Sequence, residues 1–127
     1  MHVIEVAKRI EQKIALLEKA RGTLEGLAND KALTAAMYDK ELAVTLIKLK
    51  NGVAFTLDGA SIKDPPATLC EKIARGICWE SKLQADQAEA NYKLAITKLE
   101  TVQSELNGYQ SIFRFLDVSV DTPRGIR

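Results

Sequence analysis

The residues that could do chemistry are few: one histidine, two cysteines and scattered carboxylates. Cys70 and Cys78 stand eight residues apart in sequence of helical spacing. That is a rise of about 12 Å, beyond the reach of a disulfide, and we expect both as reduced, buried, small apolar side chains. A metal site built on them would need two further ligands, and the single histidine, His2, lies at the start of the chain. Neighbouring carboxylates such as Asp86 and Glu89 read as solvated faces or partners for Lys and Arg one turn away rather than as acid and base. No Ser/His/Asp or Cys/His pattern stands out, and no glycine-rich loop follows a strand. We therefore expect no catalytic, cofactor-binding or metal-binding residue, no cofactor and no enzyme. Trp79, Tyr92, Tyr109 and Phe113 have rings that can stack on bases, but at helical spacing they are expected in the core, as is Tyr38.

Charge narrows the partners. The 18 basic and 17 acidic residues nearly cancel and are evenly spread. Binding driven by phosphates needs a local surplus of Lys and Arg, so the balance weighs against nucleic acid. Met1 to Val6 runs straight into amphipathic sequence with Lys8, Arg9 and Glu11, unlike a secretory signal, and no window of about 18 apolar residues free of charge suggests a membrane span. We expect a soluble, cytoplasmic protein with no membrane partner, and a single domain on length.

The elements that position these residues follow from periodicity. Ala85, Ala88, Tyr92, Ala95, Leu99, Val102, Leu106, Tyr109, Phe113 and Leu116 step by three and four, which keeps one helical stripe facing a partner helix. An earlier stripe runs Val6, Ile10, Ile14, Leu17, Leu24, Ala28, Ala32, Ala35, Tyr38, Leu42, Leu46 and Leu49, with Arg21 the one polar interruption. Gly22, Gly26 and Asn29-Asp30 weaken that helix, each glycine by about 1 kcal/mol. Asn51-Gly52 stops it, and Val53 to Ile62, with the turn pair Asp58-Gly59, fits a short β-hairpin or irregular tip. Asp64-Pro65-Pro66 reads as the start of the return helix, with Leu69, Ile73 and Ile77 as its next apolar run and Gly76, beside Ile77 and Trp79, as a point of bending or interruption before the later stripe.

The pattern predicts an all-α fold: a long antiparallel helical hairpin, coiled-coil-like, with helices over about 3–50 and about 66–117, a tip over 51–65 and a flexible tail over 118–127. The alternative is a three-helix bundle broken near residues 22–30. On this register Ile4, Leu16, Leu27, Leu33, Met37, Val44 and Ile47 lie off the first stripe, and Leu83, Leu94, Ile96, Ile112 and Phe115 off the second. So much apolar surface outside the seam leads us to expect a homodimer or higher homo-oligomer.

The runs YDKELAVTLIKLKNG (38–52), EKIARG (71–76) and AEANYKLAITKLETVQSELNGYQSIFRFL (88–116) resemble small helical-hairpin proteins encoded by bacteriophages and prophages, often near recombination or replication genes. Those proteins have no known catalytic residues, and the resemblance implies an accessory or scaffold role beside DNA-processing enzymes. The expected function is thus a non-enzymatic protein–protein interaction module. The alternative is an accessory nucleic-acid binder using the tip and the Arg124 and Arg127 tail.

Overall fold

The computed structural model describes residues 2–121, the side chains of 118–121 excepted. Five elements follow in order: α1 (Val3–Lys50), β1 (Phe55–Leu57), β2 (Ala60–Ile62), α2 (Ala67–Ile77) and α3 (Trp79–Asp121). The class is the expected one, an all-α helical hairpin in which α1 packs against α3 and a two-stranded antiparallel sheet stands between them. The chain divides into two compact units, Met1–Gly26 with Lys93–Arg127, and Leu27–Tyr92.

α1 is unbroken through residues 22–30, so the alternative with a break there does not form. Gly22 and Gly26 face outward, with nothing within 4 Å of a Cβ placed on either, and they cost helix propensity without opening a gap. His2 begins α1: its Nδ1 accepts from the Ile4 N–H at 3.2 Å, and its carbonyl accepts from the Val6 N–H at 3.1 Å. The imidazole thus occupies one of the N–H groups that a helix start leaves over.

In the first unit Val6 and Leu17 of α1 and Leu106 of α3 are buried. Ala95, Leu99, Val102, Tyr109, Phe113 and Leu116 line the same side of α3, half-buried. The Lys13 Nζ lies 2.7 Å from the Glu105 carboxylate, and the Arg9 guanidinium stands 5.9 Å from the centre of the Tyr109 ring. The seam of α1 passes through Lys13 and Ala20 rather than the expected Ile14 and Arg21, which are exposed. Arg21 is therefore no interruption of the seam.

In the second unit Leu49, Thr45, Cys70, Ala74, Cys78 and Ala88 are buried. Here too the seam differs by one residue: Lys31 and Thr34 are half-buried, while the expected Ala32 and Ala35 are exposed. Both polar residues find partners. The Lys31 ammonium sits 4.9 Å from the centre of the Tyr92 ring, and the Thr34 hydroxyl donates to the Asp30 carbonyl at 2.7 Å.

α1 stops as its sequence directs. Gly52 takes φ +80°, its N–H bonds the Leu49 carbonyl at 3.2 Å, and the Val53 N–H bonds the Lys48 carbonyl at 3.0 Å. These paired bonds close the free carbonyls of the last turn. β1 and β2 pair Phe55 with Ile62 and Leu57 with Ala60. Asp58 and Gly59 between them both have positive φ, as a two-residue hairpin turn requires.

The return begins differently from expectation. Asp64 does not cap α2; it is held at φ +50°, and α2 starts at Ala67 with Pro66 at its cap and no side-chain bond there. The Pro66 carbonyl instead takes both the Leu69 and Cys70 N–H groups, at 2.9 and 3.2 Å. Leu69, expected inward, is exposed, and Cys70 holds the inward place. The return expected over about 66–117, with Gly76 as the point of a bend or interruption, is two helices that meet two residues on, at Cys78, where the Cys78 N–H bonds the Ala74 carbonyl at 3.0 Å and the Lys82 N–H bonds the Cys78 carbonyl at 3.1 Å. α3 continues to Asp121, past the expected end at 117. The rest of the expected tail, with Arg124 and Arg127, lies outside the described residues.

Candidate functional site

The chemistry-bearing side chains are occupied in structure. Cys70 and Cys78 are free thiols and both are buried. The Cys70 Sγ lies 3.6 Å from the Pro65 carbonyl, and the Cys78 Sγ lies 3.3 Å from the Thr45 hydroxyl. Among the described residues no group of three His, Cys, Asp or Glu could hold a metal ion. Asp86 pairs with Lys82 at 3.2 Å, one turn away, as its spacing suggested. Lys82 also stands over Tyr38, 5.4 Å from the ring centre, and the Ser81 hydroxyl donates to the Glu41 carboxylate.

Of the aromatic residues expected in the core, Tyr38, Tyr92, Tyr109 and Phe113 are half-buried on the seam. Trp79 is not: it is 54% exposed. It is the first residue of α3, in a turn whose Ser81 and Lys82 face Glu41 and Tyr38 of α1 while the indole is exposed.

What the structure brings together in the second unit is an apolar surface. On the side of α1 away from its buried line, Leu33, Met37, Val44 and Ile47 are 60, 54, 40 and 60% exposed. Ala32, Ala36 and Ala43 are exposed among them, and Lys40 is the one charged residue within the face. All eight project within a sector of about 140° at 100° per residue, opposite the direction of Thr45 and Leu49. A groove continues this surface, lined by the apolar Met37, Val44, Phe55 and Ile77 together with Thr45, Lys40, Glu41 and Lys48. Large apolar residues in such a cluster mark binding surfaces when they are contiguous rather than scattered.

The four large residues were legible as lying off the seam. Ala32, Ala36, Lys40 and Ala43 were missed as part of the face. The signal available was the seven-residue spacing Leu33, Lys40, Ile47 with Ala36 and Ala43 between.

No protein-family model matches the chain, and no curated protein or solved structure does so. No helix among the described residues is long and apolar enough to cross a membrane.

Proposed function

We infer that this protein is a non-catalytic interaction module that works as a homodimer. Its place, on the resemblance of its sequence runs to phage and prophage helical hairpins, is that of a cytoplasmic accessory or scaffold protein beside recombination or replication enzymes. The observation that carries the reading is the outward face of α1: Leu33, Met37, Val44 and Ile47 exposed together on one side of one helix. Covering such a face is favourable at about 25 cal/mol per Å² of apolar surface, with association entropy opposing it.

Light scattering coupled to size exclusion tests the reading, because it reports mass independently of shape. Across about 1–100 µM, for a dissociation constant at or below about 1 µM, the expected mass rises to twice the 14.0 kDa of the chain. A mass of one chain throughout would sink the homodimer. Nucleic-acid binding is read from a gel shift at about 50 and 200 mM salt, since phosphate-driven binding is strong in the first and largely lost in the second. The even charge makes no shift at either salt the expected result.

A further inference from the structure

We propose that the groove between α1 and α3 in the first unit takes an acidic amphipathic helix of a partner protein. This adds a partner surface to the interaction-module reading and does not depend on the homodimer, whose face lies in the other unit.

The groove holds about 540 Å³ and lies wholly within the first unit. Its apolar lining comes from Leu16 and Ala20 of α1 and from Ala95 and Val102 of α3. Leu94, one turn before Lys98 on the same side of α3, is exposed and lengthens the apolar strip.

Folding gathers here a charge that the chain as a whole does not show. Lys13, Lys19 and Lys98 line the groove against one carboxylate, Glu105, a local surplus of two in a chain of net charge +1. Glu105 is already engaged by Lys13 at 2.7 Å. Lys19 and Lys98 are exposed, and among the described residues neither has an ion pair. The Thr23 and Thr101 hydroxyls, also in the lining, donate to the Lys19 and Thr97 carbonyls of their own helices, so the donors left for an occupant are ammonium groups. A lysine lays its stem along apolar surface and keeps its charge at the rim, where it meets a carboxylate flanking an apolar stripe.

The occupant's backbone must look after itself. Both walls are helices, which offer no free edge for a strand to extend. An extended peptide would set its own N–H and C=O groups unpaired against Leu16, Ala20 and Val102, which is costly, whereas a helix satisfies them internally. Leu16, Thr23, Lys98 and Thr101 are exposed along the groove, so a small amphiphile there would fall short of the burial of about 70–90% that such ligands need. From Lys13 to Thr23 the groove spans about 15 Å, or about three turns of a docked helix.

The test uses the full-length chain and two labelled helix-forming peptides of about 15 residues. One carries leucines along one side with glutamates on both flanks, and the other has lysine at every glutamate position. Fluorescence anisotropy at about 50 mM salt, where screening is weak, reads their binding. The glutamate peptide is expected to bind at about 10–100 µM and the lysine peptide at least about tenfold more weakly. Lys19→Glu with Lys98→Glu is expected to invert that preference, and Leu16→Ala to weaken the glutamate peptide at least about threefold. Helix content by circular dichroism confirms that each variant is folded.

Glutamate-peptide binding that is indifferent to the two lysine substitutions, or none up to about 1 mM, overturns the proposal. Laurate binding that depends on Lys19 and Lys98 where the glutamate peptide fails would give the groove to a small amphiphile and overturn it too. So would a two-chain mass that falls to one chain in Lys19→Glu with Lys98→Glu, since a second copy would then hold the groove. A one-chain mass in the unsubstituted protein with the glutamate preference intact ends the homodimer and leaves this proposal standing.

Discussion

The Thr45 hydroxyl and the Cys78 thiol lie 3.3 Å apart, both buried, and join the last turns of α1 to the junction of α2 with α3. Thiols are weak hydrogen-bonding groups, so the methyl of Thr45 matters more here than its hydroxyl. Thr45→Val is expected to change stability by under about 1 kcal/mol and Thr45→Ala to cost about 1–2 kcal/mol through the cavity left behind. Urea unfolding measures both. Equal losses from the two would show that the hydroxyl, not the packing, holds the junction.

Cys78 is 1% exposed and Cys70 6%. A thiolate must be reached to react, so a thiol-specific reagent is expected to modify neither residue quickly in the native protein and both at once in urea. Rapid uptake of one equivalent without denaturant would mean that α2 stands open in solution.

One substitution, glycine to alanine, is expected to act with opposite signs along the chain. At Gly22 and Gly26, helical with open space around them, alanine gains up to about 1 kcal/mol at each position. At Gly52, with φ +80° and the Asp64 Oδ1 only 3.3 Å from the site of the new Cβ, alanine costs about 1–2 kcal/mol. Thermal unfolding reads the contrast. A gain at Gly52 would contradict the left-handed end of α1.

Leu106 and Leu94 stand on the same helix, 5% and 68% exposed. Leu106→Asp is expected to cost about 3 kcal/mol or more, because a carboxylate there loses water without gaining a partner, and Leu94→Asp to stay within about 0.5 kcal/mol. Equal effects on the urea midpoint would show the register of α3 to be wrong.

The Lys13 and Glu105 pair is partly exposed, at 19 and 44% of the two side chains. A double-mutant cycle to alanine is expected to give a coupling of about 0.5–1 kcal/mol, most of it lost in 1 M salt, where screening acts within about 3 Å. Coupling that survives high salt would mean the pair is better shielded than its exposure implies.

Much of this architecture could be read from residue types. All ten residues of the stripe from Ala85 to Leu116 lie inward or half-inward, because small and large apolar groups at steps of three and four leave a helix only one face to bury. Asn51-Gly52 and Asp58-Gly59 act where they stand, since positive φ is easy for glycine and tolerated by Asp. The failures have a common cause. Hydropathy ranks Ala32 and Ala35 above Lys31 and Thr34, but a lysine can lay its stem inward with its ammonium over Tyr92, and a threonine can bond the carbonyl one turn back. Asp64 looked like a helix cap because Asp often is one, yet it carries the chain at positive φ into Pro65 instead. The outward face of α1 was visible only in part, since alanine reads equally well as seam or surface until the neighbouring helix is in place.

The junction at Cys78 also bears on how the molecule opens. With the Cys78 N–H on Ala74 and the Lys82 N–H on the Cys78 carbonyl, these bonds of the amide ladder carry across from α2 into α3. At the other end of α2 the Leu69 and Cys70 amides share the single Pro66 carbonyl, with no side chain to help. Deuterium is therefore expected to enter Leu69 and Cys70 well before Cys78 and Lys82. Local unfolding in this unit then peels α2 from its Pro66 end toward the junction, with α3 remaining as the base from which it re-forms.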